Sequence, residues 1–246
     1  MIAVFANPDR FMALSRWLTP AFAVAAVALF AWGLPQALVT SPPDYQMGET
    51  VRIMYVHVPA AWWALGLYAS MGIASLVSLV WRHVLADVAA RAMAPVGAVL
   101  AALCLVTGSI WGYPTWGAWW EWDARLTSML VLFITYVGYL ALWAAVEDET
   151  RAARLAAILC LVGLINLPII RFSVDWWYTL HQPASVLRMG GSAIDPAMLG
   201  PLLIMAGGFA CAAGALTLMG MRALIHRRQA LASELRLAQS AARGAS

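Results

Sequence analysis

Long apolar segments alternate with short polar ones along the whole chain, and this alternation predicts the fold. A membrane-spanning α-helix needs about 20 consecutive, mostly apolar residues. Six segments meet or nearly meet that length: 18–39, 58–81, 93–110, 126–146, 155–170 and 197–218. The fifth is short, and we expect it to include residues 172–174 when it crosses. The pattern therefore predicts an all-α integral membrane protein in which residues 1–246 form a single domain of six transmembrane helices.

The composition agrees with this prediction. Apolar residues make up 63% of the 246 residues and charged residues only 11%, whereas about a quarter of the residues in a soluble domain are charged. The first apolar segment is too long for a secretory signal peptide and has no clear small-residue cleavage site after it, so we interpret it as an uncleaved anchor. The three cysteines lie far apart within apolar segments and form no CxxC pair, which gives no support to a disulfide framework or a dithiol redox site.

All fifteen basic side chains are arginines, and their distribution predicts how the helices are oriented. They are spread along the chain, mostly in short loops, which is typical of topology signals at a lipid surface and not of a nucleic-acid interface. Eleven lie before the first apolar segment, in the second and fourth loops or after the sixth segment, and four lie in the other loops. By the positive-inside rule both termini are cytoplasmic, residues 222–246 form a basic cytoplasmic tail, and the first, third and fifth loops face outward.

The tryptophans are distributed unequally between the two sides. Nine of the thirteen fall in or beside the three outward loops, although an ordinary aromatic belt occupies both membrane interfaces. Five of these nine, together with one aspartate, lie in the stretch WGYPTWGAWWEWD at positions 111–123. The asymmetry indicates that the function is carried out at the outer face.

Residues 111–125, between the third and fourth helices, are predicted to form an outward tryptophan platform. Its members are Trp116, Trp119, Trp120, Trp122 and Asp123. Gly112 and Pro114 would end the third helix and Thr115 would cap a new one, in which all members but Trp122 share one face at positions i, i+3, i+4 and i+7. Anchoring of the loop among lipid headgroups is one interpretation. Five tryptophans favour a planar, apolar ligand with a polar edge, of which haem is the common biological example.

Two of the four histidines lie at outward positions, each beside a pair of tryptophans. His57 is at the start of the second helix, where Pro59 suits a first helical turn. His181 would be the i+4 partner of Trp177 if its loop is helical. Because neutral imidazole is the commonest protein ligand of iron, both are candidate axial ligands of haem iron, and ordinary interface residues are the alternative. The other two histidines lie beside inward arginines and are expected to be solvated: His83 and His226.

A haem at this position also presents two propionates. A guanidinium group suits a carboxylate because it donates two parallel hydrogen bonds. Four outward arginines are available, namely Arg52, Arg125, Arg171 and Arg188. We favour Arg52 and Arg125 because they are nearest in sequence to the proposed ligand and platform, with simple interfacial anchoring as the alternative.

Several segments resemble the tryptophan-rich haem-handling proteins of cytochrome c biogenesis. The signature WGAWWEWDARLTS begins at Trp116, and the further segments VRIMYVHVPAAWW, RAMAPVGA, NLPIIRFSVDWWYTLHQ and SAIDPAM resemble the haem exporter C proteins of the bacterial cytochrome c maturation system. The resemblance extends from about residue 51 to residue 219, and the number of six spans also agrees with that family.

The resemblance implies a function as well as a fold. Members of this family are multi-pass proteins of the bacterial inner membrane that hold haem b non-covalently, in transit, at the periplasmic face. His57 and His181 stand at the positions of the axial ligands, and the tryptophan platform lies beneath the haem. The implied partners are a periplasmic haem chaperone, the ATP-binding cassette transporter subunits of the maturation system and a small single-span accessory protein, besides membrane lipid.

Three other functions are left open by the residues alone. A transporter that moves haem through its own helix bundle would need a path, but no ionisable residue lies at mid-depth. An enzyme would need a base or nucleophile beyond the iron ligands, and only Glu121 and Asp123 offer one, so we expect no enzymatic activity. A purely structural subunit would leave the histidines and the platform unexplained. Asp123 is predicted either to orient the platform or to contact the chaperone, and Asn166 with Pro168 predicts a local break in the fifth helix that serves packing.

Overall fold

The structure, a computed structural model, describes residues 7–182, 185–186 and 191–244; Arg188 lies outside the described residues. Two short helical turns, Gln36–Thr40 and Glu49–Ile53, continue the first helix and lead into the second. The α-helices are α1 (Pro8–Pro35), α2 (Met54–Trp81), α3 (Val84–Trp116), α4 (Ala124–Ala145), α5 (Glu149–Gly163), α6 (Asn166–Trp176) and α7 (Pro196–Gly244).

Six helical segments in the described part of the chain are long and apolar enough to cross a membrane, which confirms the predicted number. These segments are Pro8–Thr40, Glu49–Trp81, Val84–Trp116, Ala124–Ala145, Glu149–Trp176 and Pro196–Arg243. Most of them are longer than the apolar segments in the sequence, because a helix continues into polar residues beyond the apolar part. The apolar segments therefore mark the positions of the helices but not their ends.

Side-chain caps explain where three of the helices begin. The side chain of Asn7 accepts a hydrogen bond from the Asp9 N–H at 2.8 Å, and Pro8 occupies the first position of α1. Asp123 caps α4 and Asp148 caps α5 in the same way, with bonds of 2.7 and 2.6 Å. A carboxylate at a helix start satisfies a free N–H group and interacts favourably with the helix dipole.

The fifth span consists of two helices, as Asn166 and Pro168 predict. α5 ends at Gly163, and a turn at residues 164–165 separates it from α6. The Asn166 side chain donates to the Ser128 carbonyl on α4 at 2.8 Å, so the polar group at this break is satisfied by a neighbouring helix. The contact agrees with a packing role for the break.

The helices pack in two closely associated pairs around a core that contains tyrosines. α1 lies along α7, and α2 lies along α3. Within the core, Tyr68 and Tyr136 meet edge to face with ring centroids 5.0 Å apart, and both side chains are fully buried. The Tyr136 hydroxyl donates to the Ala64 carbonyl at 2.7 Å. These side chains fill the space between α2 and α4.

Arginines join the ends of several helices at one end of the bundle. Arg222 on α7 donates to the Met12 carbonyl and to the Ser15 hydroxyl on α1, both at 3.0 Å, and Arg228 pairs with Asp87 on α3 at 2.6 Å. We call this the tail end, and the opposite end, which carries the loop between α3 and α4, the tryptophan end. The residues of the predicted tail continue α7 without a break as far as Gly244.

Candidate functional site

The third helix ends later than the sequence predicts. α3 continues through Gly112 and Pro114 to Trp116, because membrane helices tolerate proline where neighbouring groups satisfy the freed backbone atoms. Gly117 then adopts the left-handed conformation, with φ +79°, and its N–H donates to the Tyr113 carbonyl at 2.9 Å. A glycine in this conformation is the usual end of an α-helix.

The predicted helix that begins at Trp116 is therefore wrong. Residues 118–123 form an irregular loop, so the platform side chains do not share one helix face. The Thr115 hydroxyl caps no helix and instead donates to the Trp111 carbonyl, inside α3, at 2.7 Å.

The loop tryptophans form an exposed aromatic surface in which neighbours contact one another. Trp119 stacks on Tyr113, with ring centroids 4.5 Å apart and planes at 16°, and its carbonyl accepts a hydrogen bond from the Ser109 hydroxyl at 2.5 Å. Trp120 and Trp122 meet edge to face at 5.4 Å. Because Trp119 and Trp122 are 56% and 74% exposed, this surface can receive a flat apolar molecule.

His181 lies beside the platform but not in a helix. α6 ends at Trp176, and Trp177 is extended at φ −131°, so the predicted i, i+4 pairing of Trp177 with His181 is wrong. Instead, the ring of Trp116 meets the imidazole edge-on at 5.0 Å. The His181 Nδ1–H donates to Asp123 Oδ2 at 2.8 Å.

Asp123 joins the start of α4 to this imidazole. Its Oδ1 accepts the Leu126 N–H at 2.7 Å while its Oδ2 accepts from His181, and its side chain is only 7% exposed. Burial by itself would raise the pKa of the Asp123 carboxyl, but the hydrogen bonds from His181 and Leu126 outweigh it, and the pKa lies below its ordinary value of 3.8. The ionised carboxylate holds the proton on Nδ1 and leaves Nε2 as the nitrogen with a free lone pair.

His57 has a similar arrangement on α2. Its Nδ1 lies 3.0 Å from the Cys104 carbonyl and 3.1 Å from the Thr107 hydroxyl, both on α3. A carbonyl only accepts, so this Nδ1 carries the proton and the Nε2 lone pair is free. Pro59 lies in the second turn of α2, not in the first turn as predicted.

Residues of α3 that surround His57 form a group that the sequence analysis missed. A Cβ atom at Gly108 would lie 2.9 Å from His57 Cε1, and the Trp111 ring meets the imidazole edge-on at 5.8 Å. Together with Cys104 and Thr107 these residues occupy positions i, i+3, i+4 and i+7 of one helix face. The segment CLVTGSIW carries that spacing and could have indicated that this face of α3 packs against a side chain of α2.

The fold brings both imidazoles to the tryptophan end. His57 lies within electrostatic range of His181 and of Arg125. The tryptophans that contact the two imidazoles, Trp111 and Trp116, are five residues apart on α3, a rise of about 7.5 Å. The two histidines therefore lie near each other at the tryptophan end.

The two arginines favoured for the propionates differ in their contacts. Arg52 pairs with Glu49 at 2.5 Å and donates to the Ala37 carbonyl at 3.2 Å, so it joins the helical turn before α2 to the end of the first span. The Nη2 of Arg125 reaches the Arg171 carbonyl at 3.5 Å, and its Nε is buried with no hydrogen-bond partner in the part of the chain that the structure describes. Arg125 is the more available of the two.

The residues at this end fit a haem group. Besides the Nε of Arg125, two buried donors at this end have no hydrogen-bond partner among the described residues, and both are indole nitrogens: Trp111 Nε1 and Trp120 Nε1. Unpaired buried donors suit carboxylates such as propionates. No three His, Cys, Asp or Glu side chains cluster as a metal-ion site in the described part of the chain, whereas two free imidazole nitrogens suit an iron that already has four porphyrin ligands.

Comparison with known proteins shows the family. A family model described as "Heme exporter protein C" matches residues 1–236. The protein of that name from Bradyrhizobium diazoefficiens is 58% identical over 224 residues, which cover 91% of this chain and 85% of that protein. The protein from Escherichia coli K12 is 48% identical over 233 residues, or 94% of each chain, and that from Haemophilus influenzae is 45% identical over 94% of this chain and 91% of its own.

These comparisons agree with the structure. The family model spans nearly the whole chain, the identities are high, and the described residues contain six candidate membrane spans. The chain belongs to the haem exporter protein C family of cytochrome c biogenesis, whose members are multi-pass, non-catalytic, haem-handling membrane proteins.

Proposed function

We propose that this protein binds haem b non-covalently at its tryptophan end, with His57 and His181 as the axial ligands of the iron. One observation carries the proposal: each imidazole uses Nδ1 to bind a protein oxygen and has a free Nε2. Such hydrogen bonds orient a ligand and raise its basicity. When bound, haem supplies an iron with two axial positions, and imidazoles from two different elements can occupy both.

The other site residues would hold the porphyrin and its propionates. The exposed faces of Trp119 and Trp122 offer stacking surface, and each favourable aromatic contact contributes about 0.5–1.5 kcal/mol beyond the burial of area. Arg125 and the unpaired indole donors at Trp111 and Trp120 are placed to bind carboxylates. Arg52, in the helical turn before α2, is the second arginine proposed for the propionates. Stacking and two axial bonds hold haem without a covalent bond, so it can be released.

The arginine distribution supports an orientation for this site. The tail end carries most of the arginines, which by the positive-inside rule would face the cytoplasm, and the tryptophan end would then face the periplasm. In the inner membrane of a bacterium the protein would present haem in transit to a periplasmic haem chaperone. The ATP-binding cassette subunits and the small single-span protein of the maturation system would be its further partners.

The alternative function is a transporter that moves haem across the bilayer through its own helix bundle. Between α2 and α4 the core is filled by Tyr68 and Tyr136, and packed aromatic side chains leave no room for a porphyrin there. The structure thus offers more support to presentation at the tryptophan end than to passage through this part of the bundle.

The absorption spectrum of the purified protein tests the proposal. In the presence of added haem, we expect a spectrum typical of two imidazole ligands, which His57→Ala and His181→Ala each lose or convert to a five-coordinate form. His226→Ala serves as the matched control, because this exposed histidine lies near the tail end. If both ligand variants keep the wild-type spectrum, the iron has other ligands and the two histidines are structural.

A further inference from the structure

A long groove lies on the side of the bundle, and the haem site does not use it. Its volume is about 960 Å³, and it runs between α3, α4 and α7 from the tail end toward the middle of the helices. Along α7 it extends from Phe209 to Arg227, a length of about 27 Å at 1.5 Å per residue. Except for the two arginines at its tail end, Arg91 and Arg227, its walls are apolar or aromatic.

The tail end of the groove carries a surplus of positive charge. The Arg91 guanidinium stacks over the Trp143 ring at 4.2 Å and reaches Glu149 at 3.4 Å. Arg227 is exposed and has no hydrogen-bond or ion-pair partner among the residues that the structure describes. Nearby, Arg228 pairs with Asp87 and Glu149. Asp87 and Glu149 thus pair with Arg91 and Arg228, and Arg227 is left without a partner among the described residues.

The walls of the groove suit an acyl chain better than haem. Among the described residues that line it there is no histidine, cysteine or methionine, so they offer no ligand to an iron. Its long apolar walls lie on the side of the bundle, the side that hydrocarbon would surround in a bilayer. A molecule that combines an apolar chain with a negative group at one end matches both features.

A helix from another protein is a poorer match. Small residues often let a partner helix approach closely in membranes, but here they serve an internal contact. A Cβ atom at Gly220 on α7 would lie 3.2 Å from the Cβ of Ala92 on α3.

We propose that this groove binds one anionic phospholipid. Its phosphate binds Arg227 and Arg91, and one acyl chain lies between α3 and α7 and extends toward Phe209. The site is distinct from the tryptophan end, and it does not depend on the proposed haem ligands. A lipid bound there would fill the space between α4 and α7, which contact each other little elsewhere.

Native mass spectrometry of the purified full chain, titrated with phosphatidylglycerol or with phosphatidylcholine of the same acyl chains, tests this site. We expect one phosphatidylglycerol to bind several-fold more tightly than phosphatidylcholine. Arg227→Gln should weaken phosphatidylglycerol binding about fivefold, as expected for one arginine at a lipid surface. Arg236→Gln, an exposed arginine farther along α7 and outside the groove, is the matched control and should bind as the wild type does.

A second pair of variants tests the apolar part of the groove without a change of charge. Leu216 lines the groove and Leu203 does not, and their exposed fractions on α7 are nearly equal, 52% and 51%. Leu216→Trp should fill the groove and weaken binding of both lipids, whereas Leu203→Trp should not. The proposal would be overturned if the wild type bound both lipids equally. It would also be overturned if Arg227→Gln bound phosphatidylglycerol as Arg236→Gln does, or if Leu216→Trp bound it as Leu203→Trp does. A dimer that Leu216→Trp alone disrupts would overturn it as well, because the groove would then be an interface between two copies.

Discussion

At the scale of single residues, the two candidate ligands are held by different kinds of partner. His57 is bound through a backbone carbonyl and a hydroxyl on a neighbouring helix, and both partners are neutral. His181 is bound to the carboxylate of Asp123, which gives its imidazole the greater electron density. Two ligands of one iron would therefore differ in basicity, although both are histidines.

Replacement of Asp123 by Asn tests this difference. Asparagine is as good a helix cap as aspartate, so α4 should keep its start while His181 loses a charged partner. We expect haem affinity to fall about tenfold or more, as for other residues that orient a metal ligand. Haem titration followed by absorption measures this, with Asp148→Asn, the equivalent cap of α5 at the tail end, as the control. Unchanged affinity in Asp123→Asn would mean that the carboxylate does not act through His181.

The stabilisation that the Asp123 carboxylate provides should depend on pH. The folded-state pKa of Asp123 is lower than its ordinary value of 3.8. The carboxylate therefore stabilises the fold fully at pH values above 3.8, and this stabilisation is lost as the pH falls through the folded-state pKa. The difference in Tm between the wild type and Asp123→Asn should thus persist from about pH 8 to about pH 5 and disappear only below about pH 4. If the difference has vanished already near pH 6, the carboxyl is not the low-pKa group described above.

The position of His57 depends on an absent side chain at residue 108. In Gly108→Ala the added Cβ would lie 2.9 Å from His57 Cε1. Two non-bonded carbon atoms do not come this close, so the imidazole must shift. We expect loss of the His57 ligand and a spectrum like that of His57→Ala. Gly138→Ala on α4 is the control, because its Cβ would meet only the flexible end of Leu159, at 3.3 Å. A wild-type spectrum in Gly108→Ala would show that the ring adjusts without losing the iron.

At the scale of helices, the end of α3 shows why sequence patterns locate helices better than helix ends. Pro114 and Gly112 are helix breakers in water, and both lie inside α3. In a membrane the cost of an unpaired backbone group is high, so a helix continues wherever neighbouring groups allow it. Gly117 ends the helix because the chain there needs a left-handed conformation.

Replacement of Gly117 by Ala tests this helix end. No atom lies within 4 Å of the added Cβ, so the cost comes only from the left-handed backbone, about 1–2 kcal/mol. A decrease in Tm of several degrees is expected, together with a change in tryptophan fluorescence as Trp119 moves on Tyr113. Gly200→Ala, which also meets no atom but lies in the regular helix α7, should not decrease Tm. Equal Tm changes in the two variants would argue against backbone strain at residue 117.

The broken fifth span and the contacts of the site differ in how far the sequence could predict them. Asn166 and Pro168 are polar and helix-breaking residues within one apolar segment, so the break could be predicted locally. The bond from His181 to Asp123 joins residues 58 positions apart, and no local pattern contains it. The same holds for Thr107 and His57, which lie on different helices.

At the scale of the whole molecule, the arginines that the sequence assigns to one side gather at one end of the bundle. Arg222 and Arg228 join α7 to the starts of α1 and α3. An even number of spans places both ends of the chain on one side, and these contacts agree with that. The sequence could predict this because charge and apolar length act independently of detailed packing. The groove between α4 and α7 could not be predicted, since it depends on the relative positions of three helices.

The orientation of the bundle can be tested by cysteine labelling. The three native cysteines are buried or partly buried, so an exposed new cysteine should dominate the reaction. In intact spheroplasts, a membrane-impermeant thiol reagent should modify Tyr178→Cys, a position 98% exposed at the tryptophan end, but not Arg236→Cys in the tail. After permeabilisation both should react. Labelling of Arg236→Cys alone in intact spheroplasts would reverse the orientation.

The different settings of the two histidines have a kinetic consequence. His57 is part of a continuous helix, whereas His181 lies in a segment without regular backbone hydrogen bonds, and such segments open at a much lower free energy than helices. Of the two proposed iron–histidine bonds, the one to His181 should therefore break first, while the one to His57 still retains the cargo. Dissociation then becomes a two-step process, and the residence time is set by the opening of a loop and not by the unfolding of the bundle. An acceptor that supplies its own ligand during this half-bound interval could take the cargo before it escapes into solution.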